Sequence, residues 1–214
     1  MTVWRFNSSC LWPLYDAYAR RFIGDKPANC VLSAFIKLQF WGVHGFWPDF
    51  RRPSRFSEKL WSRMLYDRDP RLTLISDKLM VRGYVAERIG GQYLIPLLWQ
   101  GYSPDDIPFD DLPDRYVIKT NHGCGYVIVV DKKTGTDEAE IKKIMSKWLN
   151  ENFGTDKFLG IAWGYKNIRP AVMIEAFIGK TSMPPDDYKF WCFGGRVEVV
   201  SIHKDRFGDY KIGC

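Results

Sequence analysis

The sequence of 214 residues lacks the features that mark metal-binding, disulfide-rich and secreted proteins. It contains five cysteines and three histidines, with no Cys-x-x-Cys pair and no Cys/His ligand spacing. This pattern predicts reduced thiols and argues against a structural zinc site. The N-terminus lacks the basic start, clean apolar run and small-residue cleavage site of a secretory signal. We therefore expect a cytoplasmic protein.

Long apolar runs are also missing. The most apolar stretch, residues 31–47, is interrupted by Lys37, Gln39 and His44, and it is shorter than the ~20 residues that a spanning helix needs. No transmembrane segment is predicted, although weak interfacial contact with a membrane stays open. The chain has no internal repeat or low-complexity tract, and its 46% hydrophobic content is typical of a globular protein.

Positive charge, in contrast, is in excess. The formal net charge is +6 and the pI is about 9.0, which suits a nucleotide, an acidic glycan, a nucleic acid or a membrane surface. Near the N-terminus, cations (Arg20, Arg21, Lys26, Arg51, Arg52, Arg55) are interleaved with aromatic side chains (Trp41, Phe46, Trp47, Phe50, Phe56). Cations and aromatic rings arranged in this way are compatible with binding RNA or lipid headgroups. Because no nucleic-acid motif accompanies it, we favour a solvated face beside a partly buried aromatic cluster, and we do not expect nucleic acid as a partner.

Helical periodicity dominates the chain up to about residue 112. Apolar residues at spacings of three and four predict a helix that starts near Ser57; they are Phe56, Leu60, Trp61, Met64 and Leu65. A further helix is expected from Ser76 to Gly90, with Ser76 as its N-cap and Asp77 at the positive end of its dipole. The side chains expected on its packed face are Met80, Val81, Tyr84, Val85 and Ile89.

Beyond residue 112 the sequence turns to β-type patterns. Residues 116–130, YVIKTNHGCGYVIVV, set a glycine-rich polar turn between two apolar runs and predict a β-hairpin. Gly123 and Gly125 permit positive φ and a close backbone approach, so that main-chain N–H groups can face an anion. The spacing alone suits an ordinary hairpin equally well. Lys119 favours the anion site, because burying its charge without an anion is costly.

A helix and several strands complete the pattern. Residues 138–153 predict a helix with one apolar stripe, formed by Ile141, Ile144, Met145, Trp148 and Leu149. Strands are predicted at 171–178, 190–193 and 196–202. We predict an α+β fold with a mainly helical region over 1–112, a small lobe over 113–178 and the start of a second lobe over 179–214. The last strand is expected to lack a neighbour, which indicates an incomplete C-terminal lobe.

Several short motifs stand in an order that resembles the TupA-like ATP-grasp family over about residues 45–207. They are FSEKL at 56–60, SDK at 76–78 with VRGYV at 81–85, GQYLIP at 91–96, IKTNHG at 118–123, Glu175 after an apolar strand, and DYKF at 187–190 with Cys192–Phe193. The resemblance implies an ATP-grasp-like fold with ATP between two β-containing lobes. It also implies a role in bacterial surface or capsular polysaccharide synthesis, with ancestral ATP- and Mg²⁺-dependent joining of a carboxylate substrate to an amine through an acyl phosphate.

The resemblance also implies which residues contact the nucleotide. Lys119, Lys78 and Arg82 would approach the phosphates, and Lys189 would add a further contact. The loop from Asn121 to Gly125, including His122 and Gly123, would close over the phosphates as a flexible lid. Glu175 would begin the segment between the lobes, the backbone of Ala176, Phe177 and Ile178 would pair with the adenine edge, and Asp187 would accept ribose hydroxyls. Family members more often have serine where Cys124 stands, so one hydroxyl contact is missing.

Each assignment has a plainer alternative. Lys78 and Arg82 suit solvated helix charges, Glu175 suits a partner for a lysine on a neighbouring strand, and His122 suits stabilisation of its own turn. Metal ligands are expected beyond the end of this chain, where the family continues, so catalytic and metal residues are not assigned and little ligase activity is expected. A glycosyltransferase and a non-catalytic basic module for an anionic glycan remain alternatives. No convincing Asp-x-Asp site on a strand end supports the former, because Asp205 is followed by Arg206 and Phe207.

Overall fold

The computed structural model describes residues 30–153, 162–179, 185–204 and 211–213. The helices in these ranges are α1 Cys30–His44, α2 Phe56–Tyr66, α3 Arg71–Ser76, α4 Met80–Ile89, α5 Glu138–Leu149 and α6 Trp163–Lys166. The strands are β1 Leu97–Gly101, β2 Arg115–Thr120, β3 Val127–Asp131, β4 Val172–Ala176, β5 Asp187–Phe193, β6 Arg196–Lys204 and β7 Lys211–Gly213. This mixture of helices and antiparallel sheets agrees with the predicted α+β class.

The first sheet has the strand order β1-β4-β2-β3, and each neighbouring pair is antiparallel. The predicted hairpin is confirmed: β2 pairs with β3 from Arg115 opposite Asp131 to Lys119 opposite Val127. Strand β4 comes from later in the chain and inserts between β1 and β2. Because β1 precedes residue 112, the first sheet includes a strand from the region expected to be mainly helical.

One face of the first sheet is covered by α5. Alternate residues of β2, namely Tyr116, Ile118 and Thr120, are buried, as period-two alternation requires. They share a core with Ile141 and Met145 of α5, so the predicted apolar stripe of this helix is confirmed. Arg115, Val117 and Lys119 therefore project from the opposite face and are half-buried.

The first two helices pack around a separate small core formed by Ile36, Phe40, Phe50 and Leu65. The helix expected to start near Ser57 is confirmed: α2 begins at Phe56, and Arg55 is its N-cap. The buried carboxylate of Glu58 accepts hydrogen bonds from the backbone N–H groups of Arg55 and Asp49, both at 2.9 Å. An acid in the first turn thus holds the preceding loop against the helix.

The helix predicted from Ser76 to Gly90 is interrupted. α3 ends at Ser76, and the Asp77 carboxylate caps the next helix by accepting from the N–H groups of Leu79 at 2.8 Å and Met80 at 3.3 Å. Asp77 therefore performs the capping role that the sequence assigned to Ser76. The predicted stop is confirmed, since α4 ends at Ile89 and Gly90 has φ of 106°. The predicted packed face is wrong: Met80, Tyr84 and Ile89 are exposed, and polar contacts described below hold α4 instead.

The second sheet is antiparallel with the order β5-β6-β7. The expectation that the last strand lacks a neighbour is wrong, because β7 pairs with Ile202, His203 and Lys204 of β6. A ring contact connects the second sheet with the N-terminal helices, since Phe56 of α2 lies 6.0 Å from Phe193 of β5 between ring centroids. None of the described helices is long and apolar enough to cross a membrane.

Candidate functional site

Two cationic side chains share one buried carboxylate near the end of β2, and a third cation lies nearby. Lys119 Nζ lies 2.6 Å from Glu175 Oε2, and Arg82 Nη1 lies 2.9 Å from Glu175 Oε1. The third member, Lys78, is close enough for the positive charge of Lys119 to influence its pKa. We call Lys78, Arg82, Lys119 and Glu175 the cation cluster. The expectation that Lys119 has no protein anion is wrong, and Glu175 does pair with a lysine on the neighbouring strand.

Strand register explains how this cluster forms. Glu175 on β4 lies opposite Val117 on β2, so Lys119, two residues further along β2, is its diagonal neighbour on the same face. Arg82 reaches the same carboxylate from α4 and also donates from Nη2 to the carbonyl of Ile95 at 2.6 Å. One side chain of 8% exposure thus neutralises two cations from different elements.

Lys78 is held against the hairpin loop by main-chain oxygens. Its ammonium group donates to the carbonyls of Thr120 at 3.1 Å, Asn121 at 3.5 Å and, at short range, Gly123. Its backbone N–H also donates to the Asn121 carbonyl at 3.2 Å. Burial lowers the pKa of Lys78, and the charge of Lys119 acts in the same direction. An anion placed here would therefore favour the charged form of Lys78.

Asn121 fixes the start of the loop and faces the protein interior. Its amide nitrogen donates to Asp77 Oδ1 at 3.1 Å and to the Arg169 carbonyl at 3.0 Å, while its side-chain oxygen accepts from the Ala171 N–H at 2.8 Å. This side chain connects the cap of α4 with the segment that leads into β4. All of its described contacts are to protein groups.

His122 also faces the protein. Its Nε2 lies 3.0 Å from the carbonyl of Trp148 and 3.1 Å from that of Glu151, at the end of α5. Two acceptors require a proton on Nε2, which leaves the buried Nδ1 unprotonated and without a hydrogen-bond partner in the described structure. Burial lowers the pKa of His122. This geometry matches the alternative in which His122 stabilises its own turn.

The two loop glycines occupy different structural environments. Gly125 has φ of 81° and is exposed, as the sequence predicted. Gly123 does not adopt a positive φ; instead, a Cβ at this position would lie 2.3 Å from the ring of Tyr126. The prediction of positive φ is therefore wrong for Gly123, because close packing requires glycine there. Only Cys124 and Gly125 are exposed between Asn121 and Tyr126.

The remaining predicted site residues lie at the end of β4 and in the second sheet. Ala176 is still part of β4, and its N–H donates to the Pro96 carbonyl at 3.0 Å. Phe177 follows the strand and lies under the Arg115 guanidinium, 3.9 Å from it to the ring centroid, while Ile178 is exposed. Asp187 and Lys189 lie on β5, where their side chains form a 3.4 Å ion pair.

Two surface cavities lie apart from these residues. One of about 680 Å³ is lined by residues of α3, the start of α4 and the α6 region, including Arg68, Arg71 and Trp163. Another of about 420 Å³ lies on the second sheet beside Phe56, with Trp191 and Ser201 in its wall. No predicted site residue lines either cavity. In the described ranges, no group of three or more His, Cys, Asp or Glu side chains is arranged to hold a metal ion.

Sequence reasoning missed the structural use of Asp77 in this region. It treated Asp77 as a charge at a helix end, whereas this buried carboxylate caps α4 and also accepts from Asn121. The sequence signal was present, because an aspartate followed two and three residues later by a helix start is typical of an N-cap. The partner Asn121, 44 residues later, is visible only in the structure.

Comparison with known proteins gives one match. Residues 58–213 match the family model described as TupA-like ATPgrasp. No curated protein and no solved structure matches the chain. The matched region covers most of the chain and contains every residue of the cation cluster. The chain belongs to the TupA-like ATP-grasp family.

Proposed function

We propose that the chain binds ATP with its phosphates at the cation cluster. The observation that carries this proposal is the pairing of Arg82 and Lys119 with the Glu175 carboxylate, next to Lys78, which donates to carbonyls at the glycine-containing end of the β2–β3 hairpin. ATP-grasp proteins generally bind ATP and Mg²⁺. Three cations against Glu175 leave positive charge, which a polyphosphate would neutralise.

The residues at this site fit phosphate groups. Lys119 and Lys78 each hold a flexible ammonium group next to an acceptor of the protein, so a phosphate oxygen replaces that acceptor without a backbone movement. Burial disfavours the charge on Lys78, and a phosphate removes this penalty. The exposed tip at Cys124 and Gly125 is the part of the loop that is available to approach the phosphates.

We place the adenine near the segment after β4 and the ribose near Asp187. Phe177 and Ile178 lie beyond the last β4 residue, so their backbone is not committed to the strand as that of Ala176 is. This arrangement needs the two sheets to form the two lobes around the nucleotide, with a lobe boundary near residue 178; the first lobe then includes β1, which precedes residue 112. Asp187 and Lys189 would then reach the nucleotide from the second sheet.

The proposed reaction class is ligation of a carboxylate to an amine in bacterial surface polysaccharide synthesis. ATP, when bound, supplies the γ-phosphate that converts a carboxylate into a reactive acyl phosphate, from which an amine displaces phosphate. The contribution of this chain is to bind and orient the phosphates through Lys78 and Lys119. Among the described residues no three His, Cys, Asp or Glu side chains are grouped to hold a metal ion, and no step of this proposal is assigned to Mg²⁺.

Calorimetric titration of the purified chain with ATP and with a sugar nucleotide tests the proposal. We expect selective binding of ATP. The variant Lys119→Met keeps most of the aliphatic stem but removes a charge-assisted contact of roughly 1.5–3 kcal/mol, so the affinity for ATP should fall ~10- to 100-fold. Lys133→Met is the matched control, because Lys133 is an exposed lysine at the end of the same hairpin.

Other outcomes discriminate between the function classes. Unchanged ATP affinity in Lys119→Met, with far-UV circular dichroism confirming a folded protein, overturns the site. Selectivity for the sugar nucleotide supports a glycosyltransferase. Binding of neither nucleotide supports a basic module for an anionic glycan.

A further inference from the structure

Helix α1 is apolar on two opposite sides, and one of them faces away from the protein core. Ile36 and Phe40 are buried in the N-terminal core. At the helical spacing, Leu38 and Trp41 lie on the other side of α1, where they are 56% and 51% exposed. Exposed apolar side chains on the outer side of a helix are stabilised when protein or lipid covers them. Contact with another protein or with lipid would therefore stabilise the outer side of α1.

A second exposed tryptophan follows the helix. Trp47, three residues after the last helical residue His44, is 59% exposed. Tryptophan side chains favour the interface between lipid and water, where the ring is apolar and its N–H remains hydrated. Two exposed tryptophans beside exposed aliphatic side chains are typical of an interfacial membrane contact.

The segment that carries these exposed apolar side chains is rich in cations. Between residues 30 and 66 the chain has six Lys or Arg residues (Lys37, Arg51, Arg52, Arg55, Lys59, Arg63) and two acids, Asp49 and Glu58. Both acids are engaged locally: Asp49 Oδ1 accepts from the N–H groups of Arg51 at 2.9 Å and Arg52 at 3.0 Å, and Glu58 is buried. With six cations and two acids, the formal charge of residues 30–66 is positive.

We propose that this surface, defined by Leu38, Trp41 and Trp47 with Lys37, Arg51 and Arg52, docks on a bilayer that contains anionic phospholipid. Helix α1 has 15 residues, fewer than the ~20 that span a bilayer, so it lies in the interface. The arginines contact lipid phosphates while the apolar side chains enter the headgroup region. Charge complementarity selects anionic lipid, and the exposed aliphatic side chains disfavour RNA, which offers them no apolar phase.

Co-sedimentation of the full chain with vesicles tests this proposal. We expect binding to vesicles of phosphatidylcholine with phosphatidylglycerol, little binding to phosphatidylcholine alone, and weaker binding as salt is raised. Leu38→Ser/Trp41→Ser should reduce partitioning by about tenfold or more. Arg51→Gln/Arg52→Gln should reduce it about fivefold for each cation removed. Ile89→Ser/Tyr93→Ser changes two exposed apolar side chains outside this surface and should leave partitioning unchanged.

Several results would overturn the proposal. They are no binding to either vesicle, equal binding to both, or binding that Leu38→Ser/Trp41→Ser leaves intact. Binding of a fluorescent single-stranded RNA without vesicle binding would also reject it. Circular dichroism checks the fold of each variant. Because Arg51 and Arg52 are exposed loop residues, their double variant tests the surface independently of helix packing.

Discussion

At the residue scale, Glu175 supplies the negative charge that compensates Lys119 and Arg82 in the cation cluster. Its carboxylate is shared by Lys119 and Arg82, whose side chains are 23% and 17% exposed. We expect Glu175→Gln to lower the free energy of unfolding by about 1–3 kcal/mol, because two partly buried cations lose their counter-charge. Urea unfolding at neutral pH measures this loss.

The control for this prediction is an exposed ion pair on α5. Glu140 lies 3.3 Å from Lys143, and both side chains are largely exposed. Glu140→Gln should change stability by less than about 0.5 kcal/mol, as is usual for surface pairs. An equal loss in the two variants would mean that Glu175 is not the structural centre of the cluster.

Glu58 gives a pH-dependent prediction. Backbone N–H groups, that of Arg55 first and that of Asp49 next, lower the pKa of Glu58 from 4.5 to about 2. As pH falls between these values, the unfolded chain binds a proton that the folded chain does not, so stability must decrease. Glu58→Gln should be less stable than the parent at neutral pH and should lose this part of the acid dependence. Urea midpoints across this pH window test the prediction, and parallel curves would contradict it.

At the element scale, contacts with α5 anchor the loop between β2 and β3. The ring of Tyr126 stacks on Trp148 with centroids 5.0 Å apart, and His122 bonds to the last carbonyls of the helix region. The anchored part runs from Asn121 to Gly123, while the tip at Cys124 and Gly125 is exposed. Any movement over a bound nucleotide is therefore expected at the tip.

The two glycines of this loop allow a matched comparison. Gly123→Ala places a methyl group against the buried Tyr126 ring and should cost roughly 1–3 kcal/mol through overpacking. Gly125→Ala meets open space and incurs only the strain of positive φ, which is roughly 1–2 kcal/mol. We expect near-ultraviolet circular dichroism to change in the first variant and to remain unaltered in the second. The same spectral change in both would contradict the packing argument.

The contact between His122 and α5 makes the loop sensitive to pH. Burial lowers the pKa of His122, with a smaller effect of the same sign from Lys78. Below the ordinary histidine pKa of about 6.5 the unfolded state takes up a proton first, so stability should fall as pH is lowered. Variant His122→Gln should show a weaker decrease between neutral and mildly acidic pH. Thermal unfolding across this range measures the difference, and equal slopes would contradict it.

Local sequence patterns predicted some elements well and others poorly, for identifiable reasons. The hairpin at 116–130 and helix α5 have strong periodicity and clear turn residues, and both were predicted. Strand β1 was missed, because Leu97–Gly101 is a short edge strand whose formation depends on pairing with β4. The packed face of α4 was wrong because polar contacts through Asp77, Lys78 and Arg82 attach this helix, and hydrophobic periodicity does not report such contacts.

At the scale of the whole molecule, the members of the cation cluster could be named from the sequence, but their spatial arrangement could not. The motif order identified Lys78, Arg82, Lys119 and Glu175 individually. Their convergence depends on the insertion of β4 between β1 and β2 and on the register of Val117 opposite Glu175. Since residues 93 positions apart meet in the pair Arg82–Glu175, no local sequence pattern encodes the contact.

The relation between the N-terminal helices and the second sheet yields the final prediction. Phe56 on α2 contacts Phe193 on β5 edge to face, with centroids 6.0 Å apart. A double-mutant cycle of Phe56→Ala and Phe193→Ala, measured by urea unfolding, should give a coupling energy of about 0.5–1 kcal/mol. Phe190→Ala is the control partner, because Phe190 is exposed on the alternate side of β5, and its effect should add to that of Phe56→Ala. Additivity in the Phe193 cycle as well would mean that α2 and the second sheet do not pack together in solution.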